Sequence, residues 1–213
     1  MSAVTVLLGT TNASKITRFR DLLAGYDLTF LTLNDRQISE EPPETGATPE
    51  ENAVLKAAFY GQFFDTVICN DTGLYLDGLP LTDPRQPGLH VRAPQGKRLD
   101  DDGILAYYTA LAHELGGRVL AYYRDGIAVS RGGKISSFMA SDEVTRASAF
   151  YLTDVPSPKR QPGWPLNSIS LNRHTLTYFS EADPNQYDVP AESVLLGEYR
   201  RRLLAFLTEA LGL

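Results

Sequence analysis

Two acidic residues of this sequence, Glu51 and Asp71, are predicted to lie where buried elements begin or end. Thr48 and Pro49 form an N-cap and a first helical position, and Glu51 belongs to the first turn of the mostly apolar helix that follows. The short apolar strand Val67–Cys69 delivers Asn70, Asp71 and Thr72 to its C-terminal end. Carboxylates in such positions can bind a divalent cation or accept a proton from water. The spacing therefore indicates a functional site built on one helix and one strand.

Each of these acids also has a purely structural alternative. Glu51 stands three residues after Thr48, which is the spacing of a capping box, where the acid binds the backbone at the helix start. Asp71 could shape a turn, because Gly73 permits one before the alternating pattern resumes at Leu74. We therefore expect a tight turn between two short strands, and the residues alone leave both roles of each acid open.

A second candidate site lies near the N-terminus, in the polar loop of Thr10, Thr11 and Asn12. The apolar strand Val4–Leu8 precedes this loop, and Lys15 opens the predicted helix that runs to about residue 24. Backbone N–H groups at a helix N-terminus attract anions, and the lysine would add a positive charge for phosphate oxygens. The loop lacks the Gly-Lys-Ser/Thr ending of a Walker P-loop. An ordinary strand-to-helix turn with a solvated lysine remains the alternative.

The composition excludes several classes of function. The chain has 213 residues and a net charge of −6, so we expect it to bind neither a nucleic acid polymer nor a membrane. Its single cysteine, Cys69, and three scattered histidines give neither a disulfide framework nor a zinc pattern. The first residues have no basic leader and too short an apolar run for a signal peptide, so we expect a cytoplasmic protein.

The order of the predicted elements indicates an α/β fold. Helices alternate with strands in the first half, and the middle of the chain is rich in strands, which favours one sheet, flanking helices and two lobes. The segment 155–165 holds four prolines and cannot form a regular element. Further helices are predicted at about 103–115 and 191–211, and further strands at 28–33, 117–130, 134–139, 144–152 and 173–178.

Three motifs of the chain resemble those of the inosine-triphosphate pyrophosphatase family. The loop Thr10–Lys15 is similar to the family's T/S-G-N-x-x-K, which also follows an N-terminal strand. Glu44–Ala57 matches E-T-G-x-T-x-x-E-N-A-x-x-K-A at every fixed position. Asn70–Asp77 resembles D/E-D-S/T-G-L-x-V-D, with Asn70 in place of the first acid. The order and spacing of the motifs fit the family as well.

This resemblance implies the hydrolysis of a nucleoside triphosphate to the monophosphate and pyrophosphate, with Mg²⁺ as the cofactor. The substrate would be an unusual purine nucleotide such as ITP, XTP or dITP. The implied fold is an elongated mixed sheet flanked by helices, with two lobes and a central cleft in one domain over residues 1–213, commonly as a homodimer. Glu51 and Asp71 would hold the metal ion, with Asp71 as the proton acceptor. The residues that would bind the substrate's phosphates are Thr10, Thr11, Asn12, Lys15, Asn52, Lys56 and Thr72.

The second half of the chain departs from the family pattern in the residues that would contact the base. The family's G-F-G-Y-D-P aligns best with residues 163–168, where Trp164 could stack on a purine and Asn167 replaces the aspartate. Arg200 keeps only the arginine of the family's S-H-R. The preferred base therefore stays open, and a catalytically idle nucleotide-binding or regulatory protein is the alternative. A Maf-type pyrophosphatase is disfavoured, because its S-x-S-P-R-R start is absent.

Overall fold

The computed structural model describes residues 3–182 and 190–213 and has an α/β fold. No helix within these ranges is long and apolar enough to cross a membrane. Short 3₁₀ turns lie at Pro94–Gly96 and Pro165–Ser168. In chain order the elements are β1 (Val4–Leu8), α1 (Ala13–Leu22), β2 (Leu28–Thr32), α2 (Pro49–Tyr60), β3 (Thr66–Leu76), α3 (Asp101–Glu114), β4 (Arg118–Arg131), β5 (Lys134–Met139), α4 (Asp142–Ala147), β6 (Phe150–Thr153), β7 (Ser170–Asn172) and α5 (Pro190–Leu211).

The strands form one seven-stranded mixed sheet, as predicted. The strand order is β2-β1-β3-β4-β6-β7, and β5 pairs with β4 beside this path. β1 runs parallel to both β2 and β3, whereas β4 is antiparallel to β5 and β6. Parallel neighbours place their carboxyl ends at the same edge of a sheet, so the loop after β1 and the polar middle of β3 come close together. Backbone contact confirms this, because the Gly9 N–H donates to the Ile68 carbonyl at 2.8 Å.

By contact the chain divides into two compact units. The first comprises Met1–Thr72, Asp125–Ala140 and Gly197–Leu213. Its strands have buried residues on both faces: Ile68 of β3 packs with α1 and α5 in one apolar cluster, and Val67 and Cys69 pack with α2 in another. Strand side chains alternate between faces. Asp71 therefore continues the α2 face of β3, whereas Asn70 and Thr72 continue the face of α1 and α5.

The second unit comprises Gly73–Arg124 and Ser141–Leu196. Its core is a separate apolar cluster in which the fully buried Tyr108 of α3 packs with Leu74 and Phe150. The fold therefore has a core for each unit.

The predicted tight turn in β3 is wrong. β3 continues without interruption through Thr66–Leu76, so Asp71 lies inside a strand and not in a turn. Gly73 is needed for space, because a Cβ there would lie 2.9 Å from the Gly88 carbonyl oxygen and 2.8 Å from the Tyr75 ring. Its neighbour Leu74 donates its N–H to that same carbonyl of Gly88, which pulls the loop against the strand.

Several other predicted bounds also need correction. α1 begins at Ala13 and not at Lys15, because Asn12 serves as its N-cap. The predicted strand 144–152 starts as the helix α4, which Ser141 caps by accepting the Val144 N–H, and only its end forms β6. The predicted strand 173–178 is not formed, because the Asn172 side chain accepts backbone N–H bonds that turn the chain directly after β7.

Candidate active site

Asp71 is a buried carboxylate with a hydrogen bond to each oxygen. Its side chain is held from α2, where Asn52 Nδ2 donates to Oδ2 at 3.1 Å and Lys56 Nζ to Oδ1 at 3.0 Å. Asn52 and Lys56 lie one helical turn apart and share a face, as the sequence predicts. Only 7% of Asp71 is exposed. Three predicted site residues are therefore in direct contact, and a buried aspartate is fixed in one orientation.

The segment before α2 orients Asn52 in turn. The Gly46 N–H donates to Asn52 Oδ1 at 2.8 Å, which leaves the Asn52 amino group for Asp71. A Cβ at Gly46 would lie 2.8 Å from that same oxygen, so only glycine fits here. The glycine and the asparagine of the second motif therefore form one unit that positions Asp71.

Glu51 has the capping role that the sequence offered as an alternative. Thr48 caps α2 by accepting the Glu51 N–H at 3.1 Å, and the Ala47 N–H donates to Glu51 Oε2 at 2.7 Å. The Glu51 side chain is exposed, and among the described residues it makes no hydrogen bond or ion pair with Asp71. Its second carboxylate oxygen remains open to solvent or to a ligand.

Lys56 is paired with two carboxylates, those of Asp71 and Glu44. Burial on its own would lower the pKa of the Lys56 amine, but the negative charges of Asp71 and Glu44 outweigh burial and raise it. Lys56 therefore stays protonated at neutral pH. Glu44, the first residue of the second motif, was not among the predicted site residues, although its place in that motif is a signal for a site role.

Lys15 differs from Lys56 in its pairing. Among the described residues it makes no ion pair, and burial lowers the pKa of its amine, with partial compensation from the carboxylates of Asp125 and Asp71. Asn12 Oδ1 accepts the N–H groups of Ser14 and Lys15, and Thr10 Oγ1 accepts that of Asn12. In the predicted anion site, the asparagine of the loop therefore already occupies two of the backbone N–H groups at the helix start. A desolvated lysine without a carboxylate partner is suited to an incoming anion.

Asp125 of β4 belongs to this cluster and was not predicted. Its Oδ1 accepts hydrogen bonds from Asn70 Nδ2 at 2.9 Å and from Thr72 Oγ1 at 2.8 Å, and its Oδ2 pairs with Arg18 of α1. Arg18 also donates to the hydroxyl of Tyr199 at 3.1 Å. The sequence signal for Asp125 is a single acid that is followed directly by a buried strand segment, Gly126–Ser130.

The predicted base-contacting residues have different surroundings. Trp164 is 47% exposed, and the peptide before it is held in the second unit, where Asp101 accepts the Gly163 N–H and Arg92 donates to the Gly163 carbonyl. Asn167 donates its amide to Gln161 Oε1 at 2.6 Å. Arg200 lies exposed on α5 in the first unit, and Thr11 is exposed as well. Within the first unit, neither Thr11 nor Arg200 makes a hydrogen bond or ion pair with Asp71 among the described residues.

Comparison with known proteins identifies the family. The sequence profile of the Ham1 family matches residues 6–144, which is well over half of the chain and includes Asp71, Lys56 and Asp125. The chain belongs to the Ham1 family. The resemblance drawn from the three motifs is thereby confirmed. The matched range of the Ham1 profile ends before Trp164 and Asn167, the region in which the sequence departs from the motifs.

Relatives with assigned names match about half of the chain. The dITP/XTP pyrophosphatase of Bacillus anthracis is 37% identical over 114 residues, which are 51% of this chain and 54% of that protein. The protein of the same name from Nitratidesulfovibrio vulgaris is 37% identical over 91 residues, 42% of either chain. The chain thus spans about half the length of the curated relatives it matches.

Solved structures share the fold over nearly the whole chain. The Ham1 protein of Staphylococcus aureus has a TM-score of 0.66 at 20% identity, with 96% of this chain and 98% of that chain covered. A HAM1 protein from Coxiella burnetii has a TM-score of 0.69 at 20% identity, with 97% and 99% covered. These structures confirm the predicted mixed sheet with flanking helices.

Proposed function

We propose that this protein hydrolyses a nucleoside triphosphate to the monophosphate and pyrophosphate, with Asp71 as the group that accepts the proton of the attacking water. The observation that carries this proposal is the setting of Asp71, a buried carboxylate oriented by Asn52 and Lys56. Lys15 has no carboxylate partner among the described residues; burial lowers the pKa of its amine, and the negative charges of Asp125 and Asp71 offset part of that effect. A proton acceptor close to an unpaired cation suits the hydrolysis of an anionic substrate.

The phosphate chain would be bound by groups of the first unit. Lys15 supplies a charged donor, and the Asn12 amino group remains available because only Oδ1 is used in the helix cap. Lys56 is shared between Asp71 and Glu44, so it both orients Asp71 and adds positive charge beside it. Thr10 and Thr11 carry hydroxyls on the loop after β1, and Thr72 carries one on β3.

Mg²⁺ is the cofactor that fits this donor set. Among the described residues no cluster of three or more His, Cys, Asp or Glu could hold a metal ion. Mg²⁺ does not need one, since it usually keeps several waters and binds one or two carboxylates plus substrate phosphates. In our proposal Asp71 and the free oxygen of Glu51 hold the ion. When bound, it would neutralise phosphate charge and lower the pKa of a coordinated water.

The substrate class is proposed from the relatives, which are named for dITP and XTP. Trp164 would stack on the purine, and Asn167 would read an edge of the base. Asn167 presents both a donor and an acceptor, so the preferred base can differ from that of a relative with aspartate there. Arg200 and a homodimeric assembly, both implied by the family resemblance, belong to the proposal as predictions.

A panel of nucleotides tests the proposal. Pyrophosphate release is measured with ITP, dITP, XTP, ATP and GTP in excess Mg²⁺, for the parent protein and for Asp71→Asn. We expect turnover of at least one deaminated purine nucleotide by the parent and a strong loss in the variant. Tight nucleotide binding without turnover by the parent would contradict hydrolysis and support the idle nucleotide-binding protein instead. Light scattering of the same sample checks the homodimer.

A further inference from the structure

Asp125 contacts both sequence neighbours of Asp71. Its Oδ1 accepts from Asn70 and Thr72, which precede and follow Asp71 on β3. Because side chains alternate along a strand, these two residues lie on the face opposite to Asp71. The strand segment is therefore held from both faces, by α2 through Asp71 and by Asp125 through the two neighbours.

The hydrogen bond to Asp125 determines the orientation of the Asn70 side-chain amide. Asn70 is 2% exposed, and its Oδ1 is buried without a hydrogen-bond partner among the described residues. The opposite orientation of the amide would place Oδ1 against the Asp125 carboxylate at about the 2.9 Å that now separates Nδ2 from it. A buried acceptor without a partner is unfavourable. The hydrogen bond to Asp125 outweighs the cost of the unpartnered Asn70 Oδ1. In the opposite orientation, that oxygen and the Asp125 carboxylate oxygen would repel each other at this distance.

The same geometry explains why an asparagine stands at position 70. An acid there would place two carboxylates within hydrogen-bond distance of each other, and both could not stay ionised without a large penalty. Asp125 is itself fixed in place by Arg18, which Tyr199 anchors from α5. Asp125 of β4 therefore supplies the negative charge beside this part of β3, and Asn70 supplies the hydrogen-bond donor.

We propose that Asp125 is a positioning residue of the hydrolytic site, which acts through its hydrogen bonds to Asn70 and Thr72 to fix the strand segment that carries Asp71. Asn70 and Asp125 form one functional pair in this proposal. The acid that the family motif has at position 70 would be harmful in this chain unless position 125 changed with it. The inference rests on the proposed hydrolysis of a nucleoside triphosphate.

A reciprocal exchange tests the pair. The variants Asn70→Asp, Asp125→Asn and the double exchange are compared with the parent for kcat and KM of pyrophosphate release and for thermal unfolding. We expect either single substitution to lower kcat by about tenfold to a hundredfold, with little change in KM, because a charge-assisted contact next to Asp71 is lost. The double exchange restores a donor opposite a carboxylate, so most of the lost kcat should return.

Matched controls separate positioning from general damage. Asn34→Asp and Asp27→Asn make the same chemical changes at exposed positions and should leave kcat unchanged. If Asp125→Asn does not fold, Asn70→Ala, which removes one of the two donors to Asp125 Oδ1, should still lower kcat at constant KM. Single variants with the parent's kcat, or a double exchange as inactive as the singles, would overturn this inference while an active parent upholds the proposed function. A parent without turnover would overturn the proposed function itself.

Discussion

Asp71 and Trp164, two of the predicted site residues, lie in opposite surroundings. Asp71 is 7% exposed and has a donor on each side-chain oxygen, whereas Trp164 is 47% exposed and is held through backbone hydrogen bonds. A buried carboxylate between two donors is organised before any ligand arrives. An exposed ring gains most of its contacts from the ligand. Under the proposed function, the chemistry would therefore be built into the fold, whereas base recognition would lie on an exposed surface.

The largest expected effect comes from neutralising Asp71, which tests whether the buried carboxylate takes part in the chemistry. Asp71→Asn keeps the shape and removes the proton acceptor, so we expect kcat to fall by about 10²- to 10⁴-fold, the usual contribution of a general base. Asp27→Asn, at an exposed position, serves as the matched control in the same steady-state assay. Equal kcat for Asp71→Asn and its control would show that the buried carboxylate takes no part in the chemistry.

The next largest effect is expected from substitution of Lys15, and it should appear in KM. Lys15→Ala removes a charged phosphate donor and should raise KM by about tenfold to a hundredfold. Because burial lowers the pKa of the Lys15 amine below the ordinary lysine value of 10.5, the parent should lose its proton and its affinity at a lower pH than a solvated lysine would. KM measured from neutral to alkaline pH should therefore rise in the parent. Lys15→Arg should flatten that rise, since guanidinium keeps its charge; an identical profile in both proteins would contradict the role of Lys15.

Trp164 should affect selectivity and leave the chemistry intact. Trp164→Ala removes a stacking surface and should raise KM for purine nucleotides by about tenfold, with kcat nearly unchanged. Trp164→Phe preserves an aromatic face and is the matched control. If both variants keep the kcat of the parent, the separation between chemistry at Asp71 and base binding at Trp164 is supported. A loss of kcat in Trp164→Ala as large as that in Asp71→Asn would contradict this separation.

The smallest effect is expected from the loop before Trp164. Asp101 accepts the Gly163 N–H and pairs with Arg92 at 2.5 Å, but both side chains are about two-fifths exposed. Asp101→Asn should therefore change the free energy of unfolding by no more than about 1 kcal/mol. Trp164 is the single tryptophan, so acrylamide quenching of its fluorescence reports on this loop directly. We expect faster quenching in the variant, and unchanged quenching would mean that Asp101 does not restrain the loop.

Local sequence signals were enough to predict most of the Asp71 site. The cap at Thr48 and the shared face of Asn52 and Lys56 follow from short-range rules, and the structure confirms them. The apolar run before Asp71 is a strand as predicted, but that strand continues past Asp71 to Leu76. The continuous course of β3 could not be predicted, because Gly73 is required by a close contact with Gly88 that lies far along the chain.

The missing parts of the site depend on long-range contacts. Asp125 reaches Asn70 across 55 residues, so no local pattern reports that contact, although a single acid before a buried strand segment was a usable hint. The misassigned strand 144–152 had a local signal that was overlooked, namely the cap Ser141 with acids in the first helical turn. Trp164 is exposed and lies outside the range that matches the Ham1 family, and its role therefore remains a prediction.

Product analysis tests the central claim most directly. The parent protein and Asp71→Asn are incubated with dITP and Mg²⁺, and the products are followed by ³¹P NMR. The account predicts equal amounts of monophosphate and pyrophosphate from the parent, with neither diphosphate nor orthophosphate, and almost no product from the variant. Diphosphate with orthophosphate, or equal yields from the two proteins, would contradict it.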